Sequence, residues 1–146
     1  MSSMSKLKKL LNLAIFLGTF SSASVWALPG EDDFVMVGDA TEVLDFGLGL
    51  YETGMYKQAM AQFESVLLED PANDRANYLM GLSHMGLDAA AEAIPFFERA
   101  LSRNNFMYAA REQLGLALLK SGDAEAAEKH LGTLSRQQAR CGDACD

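Results

Sequence analysis

Few side chains in this chain could do chemistry. Its two cysteines, Cys141 and Cys145, close the sequence as Arg140-Cys-Gly-Asp-Ala-Cys-Asp146. A helical spacing of four puts the α-carbons about 6 Å apart, within disulfide reach, and Gly142 lets the segment deform. In an oxidising compartment two lone cysteines so placed most simply bridge to each other. The loop is short, and the chain-entropy model gives the bridge only about 2 kcal/mol. A bridge between two chains, or a redox or metal role, are the alternatives; the spacing matches neither Cys-x-x-Cys nor a zinc pattern.

The two histidines stand on different predicted helices, with no cysteine or carboxylate at metal spacing. His84 lies 34 residues from both Leu50 and Leu118, in register with them, which makes it a packing position. His130, beside Lys129 and near Glu128, is expected on an exposed face. Glycine-rich phosphate loops and a nucleophilic serine motif are absent. The carboxylates scatter as they do along the solvated faces of amphipathic helices. The expectation is a protein that is not an enzyme and uses neither cofactor nor metal.

The elements behind these residues come from a 34-residue step. Gly47, Gly81 and Gly115 keep it, as do Ala59, Ala93 and Ala127. So do Phe63, Phe97 and Leu131, and then Val66, Ala100 and Leu134. Within each copy the glycine is followed by alanine at +12, a large apolar residue at +16 and a smaller one at +19. These offsets resemble the signature of the tetratricopeptide repeat, over about 94 of 146 residues. The resemblance implies an all-α fold of three helical hairpins, about 41–73, 74–107 and 108–134, stacked into a short right-handed superhelix, an α-solenoid.

The residues support the same picture directly. The first copy predicts two amphipathic helices, about Val43–Glu52 and Tyr56–Leu68, joined at Thr53-Gly54-Met55. The glycine of the first helix and the alanine of the second are expected where two backbones cross closely, with the +16 residue filling the space beside them. One hairpin cannot bury its apolar face alone, so stacked neighbours share a core, and about three copies are the minimum. Pro71 ends the first copy; Asn105 and Ala139 occupy that register in the others. The aromatic residue the family often carries near each start is replaced by Val43, Asn77 and Arg111. Pro95, inside a predicted helix, should bend it slightly rather than break it.

In repeats of this kind the first helix of each unit lines the concave side. The resemblance then implies a groove of Leu44, Leu48 and Tyr51, then Arg75, Tyr78, Leu82 and Met85, then Glu112, Leu116, Leu119 and Lys120. Relatives that grip a chaperone's C-terminal carboxylate use lysine and asparagine, and here the matching positions are Leu44 and Leu48, so that activity does not carry over. An apolar lining suits an amphipathic helix or an extended apolar segment of a partner protein. Alternatively the protein covers this surface itself, through its leader or a second copy.

The N-terminus reads differently. Lys6, Lys8 and Lys9 precede an apolar run from Leu10 to Phe20, then small and polar residues, then Val25-Trp26-Ala27. This describes a secretory signal peptide, residues 1–27, cut after Ala27 or, second, after Ala23. The alternative is an uncleaved anchor, but the run is short of the roughly 20 residues a bilayer needs. Export, to the periplasm in a bacterium, is the expectation, with membrane contact only through the signal peptide before cleavage. Residues 28–40 form an acidic and apolar leader, in which Phe34-Val35-Met36-Val37 either caps the first hairpin or plugs the groove.

Charge excludes one partner class. The whole chain carries 12 basic and 20 acidic side chains, and removal of residues 1–27 leaves nine basic, a balance of −11. Such a surface repels nucleic acid and anionic headgroups. Residues 135–146 are expected as a tail too short for a solvating helix, so the last hairpin should expose apolar surface and favour a partner or a homo-oligomer. The function these features imply is a protein-binding or assembly adaptor of the cell envelope, or else a structural protein that self-associates.

Overall fold

The computed structural model describes residues 38–141. The expected signal peptide, most of the expected leader and Cys145 lie outside the described residues. Within them stand six helices: α1 Ala40–Glu52, α2 Tyr56–Glu69, α3 Asp74–Gly86, α4 Ala90–Arg103, α5 Tyr108–Ser121 and α6 Ala124–Cys141. The predicted junction at Thr53-Gly54-Met55 separates α1 from α2.

Local chemistry starts and stops these helices. The Asp39 carboxylate accepts from the backbone N–H of Thr41 at 2.8 Å and of Glu42 at 3.1 Å, capping α1. One repeat later Asn73 caps α3 by accepting from Ala76 N–H at 2.9 Å. The turn inside each hairpin needs one residue in the left-handed region, and it falls in the same register three times: Gly54 at φ +80°, Asp88 at +57° and Gly122 at +93°. Helix α4 continues through Pro95 to Arg103.

The hairpins α1–α2, α3–α4 and α5–α6 stack in order, each second helix also packing on the next first helix. Helix α1 touches α3, and α3 touches α5, whereas no Cα of α2 comes within 8 Å of one of α4, nor of α4 to α6. The first helices therefore crowd together on the inner, concave side, and the second helices spread on the outer side.

Two buried clusters form the core. One gathers Val43, Leu44, Phe63, Val66, Leu79 and Met80; the other gathers Phe97, Leu101, Leu114 and Leu118 with small residues between. Tyr78 and Leu82 pack against both clusters and join them. Ala59, Ala93 and Ala127 are fully buried, as their register requires. The glycines have a more specific partner than the alanines. A Cβ on Gly47, Gly81 or Gly115 would meet the Phe63 ring at 2.5 Å, the Phe97 ring at 2.6 Å or Leu131 at 2.6 Å. Each glycine thus makes room for its +16 residue, which lies directly against it.

The C-terminal end also departs from expectation. Helix α6 does not stop near Leu134 but continues to Cys141. It turns Ala127 and Leu134 inward and presents Glu128, Ser135, Arg136, Gln138 and Arg140 to solvent. The last helix gives the stack a polar outer surface and is longer than the short tail expected. Leu116 and Leu119 of α5 stay exposed, so the last hairpin does present apolar surface, as expected.

Candidate protein-docking face

The inner face is built from α1, α3 and α5. Leu48 and Tyr51 of α1 are half-buried against the first core cluster. Met85 of α3 is half-buried against the second, and Tyr78 and Leu82 sit between the two. On α5, Leu116 is 40% and Leu119 48% exposed, and Glu112 and Lys120 are exposed beside them. Leu44 differs from the expectation that it lines a groove. At 3% exposure it belongs to the first core cluster, because its side of α1 turns into the α2 and α3 packing.

Polar groups on this face are largely committed to one another. Arg75 donates to Asp45 at 2.6 Å, linking α3 to α1. Lys120 donates to Asp88 at 3.3 Å, linking α5 to the turn of the second hairpin. The Tyr51 and Tyr56 rings lie 5.4 Å apart, and Tyr78 packs against Phe97 at 6.1 Å. Burial pushes the Tyr78 hydroxyl above its ordinary value, and the neighbouring Tyr51 and the Glu112 carboxylate push it the same way. Tyr51 is raised too, by burial first and then by Tyr56.

The outer side shows what replaced the missing aromatics. Asn77 is 1% exposed and donates to the carbonyls of Pro71 at 3.0 Å and Asn73 at 2.8 Å. Arg111, one repeat on and 7% exposed, donates to the carbonyl of Asn105 at 2.9 Å and also to that residue's side chain. Both polar side chains tie down the loop between two repeats from equivalent positions. Arg99 donates to Asn77 at 3.2 Å and lies 4.4 Å over the Phe96 ring, on which His84 stacks at 5.1 Å. A shallow depression of about 280 Å³ lies here, lined in part by Leu67, Leu68 and Phe96. The signal that could have found these clamps is in the sequence: Asn77 follows Pro71, and Arg111 follows Asn105, by the same six residues.

His84 is half-buried, and burial lowers its pKa. His130 is half-buried as well, not exposed: its pKa is lowered by burial and then by the Arg111 cation. Its Nδ1 and the Arg111 Nε are buried without a hydrogen bond among the described residues. No three His, Cys, Asp or Glu side chains converge among the described residues as they would around a metal ion.

Residues 44–108 and 84–144 each match a sequence profile described as tetratricopeptide repeat. Among solved structures, the fold is similar to MamA residues 41 to the end from Desulfovibrio magneticus RS-1, at 24% identity and TM-score 0.65, covering 73% of this chain and 59% of that one. It is also similar to the Yersinia enterocolitica type III secretion translocator chaperone SycD in an alternative dimer, at 18% identity and TM-score 0.67, covering 73% and 82%. A third similar structure is the second TPR of Spaghetti (RPAP3) bound to the HSP90 peptide SRMEEVD, at 20% identity and TM-score 0.63, covering 65% and 88%. The profiles, the 34-residue register and the stacked hairpins agree, and the chain belongs to the tetratricopeptide repeat family.

Proposed function

We propose that this chain is a non-enzymatic docking module of the cell envelope, exported by its N-terminal segment, whose inner face holds an apolar helix or extended segment of a partner protein. The observation that carries this reading is the exposure of Leu116 and Leu119 on α5, in line with half-buried Leu82, Met85 and Leu48 on the inner side. Leucines exposed to 40% and 48% leave much of their apolar area outside the stack, and its burial by a partner would stabilise a complex by about 25 cal/mol per Å². The similar structures support a protein-binding role in general, since one is a chaperone of a secretion translocator and another holds an HSP90 peptide. Carboxylate gripping of the latter kind is not part of the proposal, because Leu44 and Leu48 stand where the family places its lysine and asparagine.

A photo-crosslinking residue at position 116 or 119 of the exported protein, compared with one at position 106, exposed in the loop between α4 and α5, tests it. The inner positions should give a discrete crosslinked partner identifiable by mass spectrometry, and position 106 should not. Crosslinks from position 106 alone would place docking at the loop between the second and third hairpins and overturn the reading. Crosslinks from 116 only to a second copy of this chain would replace it with self-association.

A further inference from the structure

The charges of the inner face specify its partner further, an inference that rests on the docking reading above. The inner helices α1, α3 and α5 carry three cations in all, Arg75, Arg111 and Lys120. Each is already engaged: Arg75 with Asp45, Lys120 with Asp88, and Arg111, buried, with Asn105. The same helices carry five carboxylates, Glu42, Asp45, Glu52, Asp74 and Glu112. Only Asp45 of these is in an ion pair among the described residues, and of the other four Glu112 is the one that stands exposed next to Leu116 and near Tyr78. It shares the face with Tyr78, whose ring joins the two core clusters at the middle of the stack, and Tyr78 in turn neighbours Tyr51. Three successive inner helices therefore present two phenols, Tyr51 and Tyr78, and the Glu112 carboxylate beside an apolar strip.

We propose that the segment docked on this face carries a lysine or arginine among its apolar residues, and that this cation meets Glu112 and the Tyr78 ring. A carboxylate would answer Glu112; a phenol face attracts a cation through its quadrupole, and its hydroxyl accepts a hydrogen bond. An acidic segment finds no free cation on the inner helices and is repelled. The described chain's excess of acidic over basic side chains, 15 against 9, steers encounter in the same sense.

Three labelled 18-residue peptides of identical amphipathic pattern, with leucines at helical spacing and a central lysine, glutamine or glutamate, test this by fluorescence polarisation. The lysine peptide should bind the mature protein about five- to tenfold tighter than the glutamate peptide, as a charge contact of about 1 kcal/mol predicts. Raising the salt should narrow the ratio. Glu112→Gln should bring the three peptides together, and Glu112→Lys should reverse their order, with circular dichroism unchanged because the side chain is exposed. Binding of all three with equal affinity to the native protein would overturn the charge assignment while leaving the docking face intact. Preference for the glutamate peptide, or a lysine preference that survives Glu112→Lys, would overturn it as well. Failure of every peptide to bind would instead overturn the docking reading on which it rests.

Discussion

The Phe97 ring occupies the place where a side chain on Gly81 would begin, with its Cε1 only 2.6 Å from the Cβ an alanine would add. A similar close approach recurs at the same register in the other hairpins, Gly47 against the Phe63 ring and Gly115 against Leu131, and it explains why glycine stands there. Because the contacted atoms belong to a fully buried ring, the neighbour cannot move aside cheaply.

Gly81→Ala should therefore destabilise the protein by about 1–3 kcal/mol despite alanine's better helix propensity. Gly49, on α1 with nothing within 4 Å of its would-be Cβ, supplies the control. Gly49→Ala should stabilise by about 0.5–1 kcal/mol. Urea unfolding of the two variants beside the native protein measures both signs. Equal effects would mean that propensity, not the ring, governs these sites.

Asp88 adopts the left-handed conformation that Gly54 and Gly122 adopt in the other hairpins. A non-glycine residue there costs about 1–2 kcal/mol, part of which glycine's greater chain entropy offsets. Asp88→Gly should raise stability by about 0.5–1 kcal/mol. Loss of the ion pair to Lys120 should matter little, since both side chains are mostly exposed. The thermal midpoint of the variant checks this, and a fall would assign Asp88 a structural role beyond its turn.

How much of this was legible beforehand depended on period. The alignment of Gly47, Gly81 and Gly115 carried the helices, their junctions and the core, because a 34-residue step leaves each packing position visible three times. Single-copy features were not legible. Asn77 and Arg111 read as departures from the family until their hydrogen bonds to the preceding loops were seen. Leu44 shares its apolar character with true inner-face residues, and burial alone separates it from Leu116. The length of α6 was hidden because Gln137, Gln138 and Ala139 are good helix formers without an apolar pattern, so periodicity ends before the helix does.

Asn77→Ala removes the buried side-chain donor to the Pro71 carbonyl and one of two donors to the Asn73 carbonyl, which keeps the Asn77 backbone N–H. The expected cost is about 1–3 kcal/mol, with the loop between the first two repeats exposed to earlier hydrogen exchange. Unchanged exchange at residues 70–74 would show that the clamp is not holding that loop.

Acid should weaken the fold. His84 faces the Phe96 ring and the Glu92 charge, and His130 faces Arg111, Lys129 and Glu98; burial lowers both pKa values. The unfolded chain then takes up these protons first, so stability is full above the ordinary histidine value of about 6.5 and falls as the pH drops through the lower folded values. Urea midpoints between pH 7.5 and 5 should decline, and His130→Gln should flatten the decline. A native protein whose midpoint rises in that range would contradict the assigned environments.

Capture of a partner by a folded Leu116→Glu/Leu119→Glu double variant tests the docking account most directly. Both side chains are exposed on α5, so helicity and the thermal midpoint should stay near those of the native protein. The account predicts that this folded variant loses the partner crosslinked to the native inner face. A folded variant that still captures the same partner with undiminished yield would contradict it.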